Sequence, residues 1–349
     1  MNNFDLNTLV RPNILKMAPY SSARDEFSGS NMVFLDANEN PWETTNNRYP
    51  DPKQEALKKA IAEIKGLEVK NIFLGNGSDE AIDIVMRAVG TPGKDNILIT
   101  QPTYGVYEVS AAINDLDIIR YPLNKNYELD GDELLTFTNQ NTRIIFLCSP
   151  NNPTANILQK QEVEKVLNHF NGLVVIDEAY IDFSQEKSWS EKLGLYPNLI
   201  VLQTLSKGWG LAGLRIGMAY ASENIIRILN KIKPPYNISN ASQRIALEAL
   251  SSKRDLVAEQ IDRLIEERNK YFSLFSKLPF VKKVFPSEAN FLLLEVENTD
   301  ALYQYLIDQG FVTRKRKGIL HCAEGIRFSI GTPEENKNMY EALLNFEGK

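Results

Sequence analysis

The chain has 349 residues but only two cysteines, Cys148 and Cys322, and two histidines, His169 and His321. So few thiols exclude a disulfide framework and fit a reducing compartment, so the expected location is cytoplasmic. The histidines stand far apart with no neighbouring thiols, and no metal site is expected. Basic residues are not in excess: 39 Lys and Arg against 45 Asp and Glu leave a net charge of −6. That balance argues against nucleic acid or an anionic membrane as the main partner, while allowing a local basic pocket. No apolar run approaches the ~20 residues a membrane helix needs. Asn3, Asp5, Asn7 and Arg11 interrupt every apolar stretch of residues 1–20, so no signal peptide is expected there.

What is present is an ordinary globular composition, 43% hydrophobic and 24% charged, in a chain long enough for about two domains. Short apolar runs at Ile72–Leu74, Ile97–Thr100, Ile118–Tyr121, Ile144–Cys148, Leu173–Asp177, Leu199–Thr204 and Arg215–Tyr220 predict strands. Amphipathic stretches between them (Lys53–Lys65, Asp79–Val89, Tyr104–Ile113, Gln159–Phe170) predict helices. This alternation predicts an α/β fold, with a mostly parallel central sheet covered by helices on both faces. After Tyr220 the pattern changes. A helix-favouring stretch, Ser242–Lys277, is followed by runs at Val281–Phe285, Phe291–Val296, Phe311–Thr313 and Ile326–Ile330. A helix pattern at Thr299–Gln309 and a last helix near Pro333 complete a smaller α+β domain. The expected division is an N-terminal arm over 1–35 packing with the small domain, a large domain over 36–245 and a small domain over 246–349.

Ligands of open parallel sheets sit beyond the carboxyl ends of the strands. Five such ends carry polar or glycine-rich clusters, beginning at Gly75, Gln101, Ser149, Asp177 and Gln203. Gly75–Glu80 lacks the third glycine of a dinucleotide fingerprint. It still opens a helix whose free amides can hold a phosphate, the structural alternative being a tight turn capped by Ser78. Asp177 ends an apolar strand, where an unpaired carboxylate is costly, so a partner is implied, with a cationic ring nitrogen as one candidate. Lys207, if desolvated, can lower its pKa and form a Schiff base with an aldehyde. For either residue alone, a salt-bridged or solvated loop charge is the alternative.

Taken together, Asp177, Tyr180 three residues later, Ser206-Lys207, and Arg215 eight beyond the lysine form a specific set. With Ser149-Pro-Asn-Asn-Pro-Thr154 and Thr204-Leu-Ser-Lys-Gly-Trp-Gly-Leu-Ala-Gly-Leu-Arg215, the chain resembles the fold-type I pyridoxal-phosphate aminotransferases from about Met17 onward. The resemblance implies pyridoxal 5'-phosphate held by Lys207 as an aldimine in a ping-pong reaction. It implies that Asp177 pairs with the ring nitrogen, that Asn152 and Tyr180 bond its phenolic oxygen, and that Tyr104 stacks on its face. Gly77, Ser78, Asp79, Thr204, Ser206 and Arg215 are implied around the cofactor phosphate. The family places its site across a homodimer interface, where Tyr49 would reach the partner's cofactor. Two departures stand out. Ala155 replaces the usual glycine after Asn152-Pro-Thr and would be strained if its φ were positive, and Trp209 replaces a smaller aromatic.

The opening segments Ala18-Pro-Tyr-Ser-Ser-Ala-Arg24 and Leu35-Asp-Ala-Asn-Glu-Asn-Pro41 resemble those of histidinol-phosphate aminotransferases. That resemblance implies a phosphorylated amino donor, L-histidinol phosphate, with 2-oxoglutarate as acceptor, in histidine biosynthesis. Tyr20 and Arg314 would bind the donor's phosphate, with Arg24 a further participant, Asn38 would line the pocket, and Arg327 would take a substrate carboxylate. Arg314 also stands in a charge run, Arg314–Lys317, which alone reads as a solvated turn. An aromatic amino-acid aminotransferase and a threonine-phosphate decarboxylase are the alternative activities. A cofactor-sensing regulator fits poorly, because no basic helix pair precedes the first motifs.

Overall fold

The computed structural model describes residues 4–20 and 33–347. Seven strands form one sheet in the order β1 (Ile72–Asn76), β7 (Ile216–Ala221), β6 (Leu199–Thr204), β5 (Leu173–Asp177), β4 (Thr142–Cys148), β2 (Asn96–Gln101) and β3 (Asp117–Pro122). All neighbours are parallel except β7, which runs against both β1 and β6. The strands are apolar throughout because both faces are covered. Leu74, Leu98, Ile145, Val174 and Val201 pack beneath α3 (Glu55–Lys65), α6 (Gly131–Thr136) and α7 (Lys160–His169). Phe73, Ile97, Phe146, Val175 and Leu202 pack on the other face with α4 (Ser78–Val89), α5 (Val106–Ile113) and α8 (Glu223–Ile232). In α4, Ile82, Val85, Met86 and Val89 recur at the helical spacing that puts them on one buried stripe. Each such side chain contributes about 1.5–3 kcal/mol by leaving water.

A second, antiparallel sheet has the order β10 (Arg314–Ile319), β11 (Cys322–Ser329), β9 (Phe291–Val296), β8 (Val281–Val284). On β9 the even residues Leu292 and Leu294 join a cluster with α10 (Arg254–Phe275), α11 (Thr299–Asp308) and α12 (Pro333–Leu344). The odd residues face the other way: Leu293 joins the core of the large sheet, and Phe291 packs with Tyr180. The same parity on β11 sends Ile326 and Phe328 into the helix-side cluster and leaves Arg327 on the face toward the large sheet. Helix α12 is fixed by Pro333 in its first turn and a reciprocal capping box between Thr332 and Glu335.

The α/β architecture agrees with the sequence pattern, and four details differ. The described part of the arm, with α1 (Leu6–Leu9) and α2 (Pro12–Lys16), does not pack with the small sheet. Leu9, Val10 and Ile14 are buried against the α4/α8 face of the large sheet, and the Arg11 amide donates to Ala88 O at 2.9 Å. The long helical stretch is broken at Lys253 into α9 (Asn240–Ser252) and α10. Phe311–Thr313 is not a strand: it links Gly310, in the left-handed region that ends α11, to a strand that begins at Arg314. Arg215 is likewise outside its strand, with a left-handed φ of 55°. Among the described residues no helix is long and apolar enough to cross a membrane.

Gly217 pairs with Gly75 on one side and Thr204 on the other, where β7 passes under the start of α4. A Cβ there would lie 2.0 Å from the Ser78 amide nitrogen, which is backbone and cannot swing away. Gly217→Ala is expected to destabilise the chain by about 3 kcal/mol or more, read as a lowered midpoint in urea unfolding.

Candidate active site

The carboxyl ends of β1, β2, β4, β5 and β6 open on one edge of the large sheet. Because β7 is reversed, its start, with Arg215 before it, reaches that same edge. The small sheet presents its odd-numbered β11 face opposite. Between them lies a cavity of about 470 Å³.

At one end of the cavity are Gly77, Ser78, Asp79, Thr204, Ser206 and Arg215. Helix α4 begins at Ser78 itself, with Gly77 as its flanking residue at φ 78°, and no side chain caps it. The Ser78 cap allowed by the sequence is therefore absent, and the first-turn amides lack intrahelical partners. Gly77 suits this position because its φ is one that side-chain-bearing residues rarely adopt, and a Cβ there would also stand 2.6 Å from Arg215 Nη2. Arg215 Nη2 lies 3.5 Å from Asp79 Oδ2, Tyr104 Oη donates to Asp79 Oδ1 at 3.2 Å, and Thr204 Oγ1 donates to Ser206 Oγ at 2.9 Å. A guanidinium, hydroxyls and a helix start form an anion cradle.

In the middle stands Asp177, 3% exposed at the end of β5. Its carboxylate accepts from Tyr107 Oη at 2.7 Å and from the Ala179 amide at 3.1 Å, yet no cation among the described residues is in ion-pair contact. Burial raises its pKa from 3.8 to about 6 despite these donors. Lys207 Nζ lies 5.7 Å from the ring centroid of Tyr180. Burial, with Arg327 next in effect, lowers the lysine's pKa. Burial pushes Tyr180 up to about 12, with Arg327 opposing. The donor set thus fits pyridoxal phosphate: a phosphate cradle, a buried carboxylate lacking a cation, and an amine of reduced basicity. Asn152 lines the same space, its Oδ1 accepting from Arg327 Nη1 at 2.5 Å.

Arg314 and Arg327 close the other end. The 13-position offset between them is that of a hairpin: in the β10–β11 register they are direct cross-strand partners. Like charges directly opposite are destabilising unless something lies between them. The charge run is therefore a strand with two faces and not a solvated turn. Lys315 Nζ and Lys317 Nζ reach Asp300 at 3.1 and 2.8 Å on the α11 side. Arg314 and Arg316 turn to the cavity.

Three expected residues lie elsewhere in the single chain. Tyr20 lines a separate groove with Pro52, Lys58 and Lys233. Asn38 and Tyr49 line a shallower hollow with Arg48 and Asn240, and Tyr49 stacks on Tyr236 at 4.5 Å. Arg24 lies outside the described residues. Conversely, Tyr107 and Arg316 escaped the sequence reading of the site. Tyr107 is one turn beyond Tyr104 and stacks on Phe146 at 4.7 Å, so it resembled a core aromatic. Alternation along residues 314–317 was the available signal for Arg316. Ala155 does adopt the left-handed region, φ 62°, in a fully buried position beside Tyr180 and Phe291. Its methyl costs about 1–2 kcal/mol of backbone strain there. Trp209 packs at the edge of the α3-side core.

Residues 34–343 match the family described as aminotransferase class I and II. The chain belongs to that family. Within it, the resemblance read from the motifs is borne out. A histidinol-phosphate aminotransferase of Parabacteroides distasonis is 49% identical over 343 residues, covering 98% of this chain and 99% of that protein. Among solved structures, the histidinol-phosphate aminotransferase of Clostridium acetobutylicum superposes with a TM-score of 0.79 at 24% identity, covering 86% of this chain and 90% of that one. That of Sinorhizobium meliloti, in complex with pyridoxal-5'-phosphate, gives 0.77 at 24% identity, covering 85% and 82%.

Because the folded pKa of Asp177 is raised, the folded chain keeps a proton that the unfolded chain has already lost between pH 4 and 6. Stability contributed by this group is therefore full below pH 4 and lost as pH rises through 6. The gap of 3.8 to about 6 corresponds to about 3 kcal/mol, of which about 1 kcal/mol returns when Asn presents its amide to one of the two donors. Asp177→Asn is expected to stabilise the cofactor-free protein by about 1–2 kcal/mol at pH 8, and to do so less at pH 4.5, measured by thermal unfolding.

Proposed function

We propose that the chain moves an amino group between L-histidinol phosphate and 2-oxoglutarate, giving imidazole-acetol phosphate and L-glutamate in histidine biosynthesis. The observation that carries this reading is the cross-strand pair Arg314–Arg327, which faces the cavity holding Lys207 and has no carboxylate partner among the described residues. Two guanidiniums so placed call for an anionic substrate group, and the 49% identical relative is named for a phosphorylated one.

Pyridoxal phosphate would be held by Lys207 at its aldehyde carbon and by Ser78, Asp79, Ser206, Thr204 and Arg215 at its phosphate, with Gly77 leaving room for Arg215. Asp177 would pair with its ring nitrogen, Asn152 and Tyr180 would donate to its phenolic oxygen, and Tyr104 would cover its face. When bound, this cofactor supplies an acceptor for the amino group and a ring that withdraws electrons from the substrate carbon. Lys207 Nζ, once the donor's amine has displaced it, would take the proton from the carbon bearing the amino group and return it two atoms along, on the far side of the nitrogen. Its lowered basicity leaves more of it neutral near pH 7 than a solvated lysine would be. Asp177, held by Tyr107 and Ala179, stays ionised once a cation faces it. Arg314 binds the donor phosphate and Arg327 the carboxylate of the acceptor, so two half-reactions use one cavity in turn.

The working form in this reading is a cytoplasmic homodimer with a shared site. Val33, Leu35 and Trp42 are 82%, 86% and 79% exposed on the segment that carries Asn38 and Tyr49. A second copy would cover them and receive Tyr49, and Tyr20 and Asn38 would complete a pocket there. The arm over 1–35, a large domain over 36–245 and a small domain over 246–349 are the divisions proposed for each copy.

The test is a titration without any keto acid. L-histidinol phosphate, L-phenylalanine and threonine phosphate are each added to the holoenzyme while cofactor absorbance and carbon dioxide are followed. Selective loss of the cofactor's long-wavelength band with histidinol phosphate is expected. Preference for phenylalanine would move the protein to the aromatic branch, and carbon dioxide from threonine phosphate would make it a decarboxylase. Lys207→Ala is expected to abolish turnover, a loss of at least about 10⁴-fold, with the circular-dichroism spectrum unchanged.

A further inference from the structure

Five cations, Lys207, Arg215, Arg314, Arg316 and Arg327, line the cavity against two carboxylates, Asp79 and Asp177. Asp79 lies beside Arg215, and Asp177 is spoken for at the centre, so the three arginines of β10 and β11 have no acidic partner among the described residues. Arg316 is the one that nothing above employs. It follows Arg314 by two residues on β10, so both side chains leave the same face. Opposite it on β11 is Gly325, which places no side chain beside the guanidinium. Arg316 Nε is buried without a hydrogen-bond partner, and so is Arg327 Nε. Burial, and then crowding by Arg327 and Arg314, disfavours its charge. Arrangements of this kind persist where an anion supplies the missing acceptors.

We propose that Arg316 is a specificity-determining residue, the third guanidinium of a seat that favours a phosphate monoester dianion over a monoanionic carboxylate. The proposal rests on the substrate reading above and sharpens it. A carboxylate needs one bidentate arginine, whereas a phosphate carries close to two charges near pH 7 and three acceptor oxygens. Arg314 and Arg327 alone would serve either ion; the third arginine is what separates them. Lys315 provides the internal control, since it carries the same charge one residue away but points to Asp300 on the opposite face.

The experiment compares wild-type holoenzyme with Arg316→Gln, Arg316→Lys and Lys315→Gln. For each, kcat/KM is measured with histidinol phosphate and with phenylalanine, and inorganic phosphate is titrated calorimetrically into the holoenzyme. For Arg316→Gln the expected outcome is a loss of 10–100-fold with histidinol phosphate, mostly in KM. Phenylalanine should change less than about 3-fold, and phosphate binding should weaken in parallel. Arg316→Lys should recover part of the loss, and Lys315→Gln should resemble wild type. Equal losses with both donors, or phosphate binding untouched by Arg316→Gln, would overturn the proposal. Should wild type itself fail to prefer histidinol phosphate to phenylalanine, the substrate reading falls first. If wild type prefers it and Arg316→Gln keeps that preference, only the role of Arg316 falls.

Discussion

A carboxylate kept out of water at the end of a parallel strand, with hydrogen-bond donors but no cation in contact among the described residues, is the constraint on which the site depends. Asp177 can occupy that position because Tyr107 and the Ala179 amide hold it and because β4 and β6 bury it from both sides. The cost of that burial is visible in its raised pKa. Everything near it is arranged as if a positive group were to arrive. Lys207 is itself pushed toward neutrality, and the anion cradle stands at one end of the cavity while the arginines stand at the other. Charge is concentrated where the fold alone gains nothing from it, which separates a binding site from a structural ion network.

The second constraint is geometric. A lone reversed strand, β7, lets Arg215 share an edge with the carboxyl ends of its neighbours, so groups far apart in the chain meet around one cavity. The small sheet takes part through parity: because Ile326 and Phe328 are needed by the helices behind β11, Arg327 has only the cavity to face. Packing on one side of a strand thereby fixes the chemistry on the other.

These relations were unequally legible in the sequence. Asp177, Lys207 and the clusters at the strand ends were readable because an apolar run that stops at a polar group advertises its own end. The direction of β7 was not readable, since Ile216–Ala221 is buried on both faces like its parallel neighbours, and such a run looks the same whichever way it points. The seat of the arm was missed because Leu9, Val10 and Ile14 are too few to show which surface they match. Arg316 was hidden by its surroundings, as four consecutive charges resemble solvated chain until a partner strand assigns alternate residues to opposite faces. Tyr20, Asn38 and Tyr49 are implied by resemblance alone, and in one chain they stand apart from the cavity.

Strand β10 is also the outer strand of its sheet, with β11 on one side and, among the described residues, no strand on the other. An open backbone edge of this kind is a template on which a foreign strand can grow, and proteins that leave one uncovered risk association through it. Here that edge carries Arg-Lys-Arg-Lys, so two copies brought edge to edge would set like charges against one another before any backbone bond could form. The run of charge proposed to serve a ligand on one face would therefore also guard the rim of the small sheet against association, and neutralising it would expose the protein to a failure unrelated to catalysis.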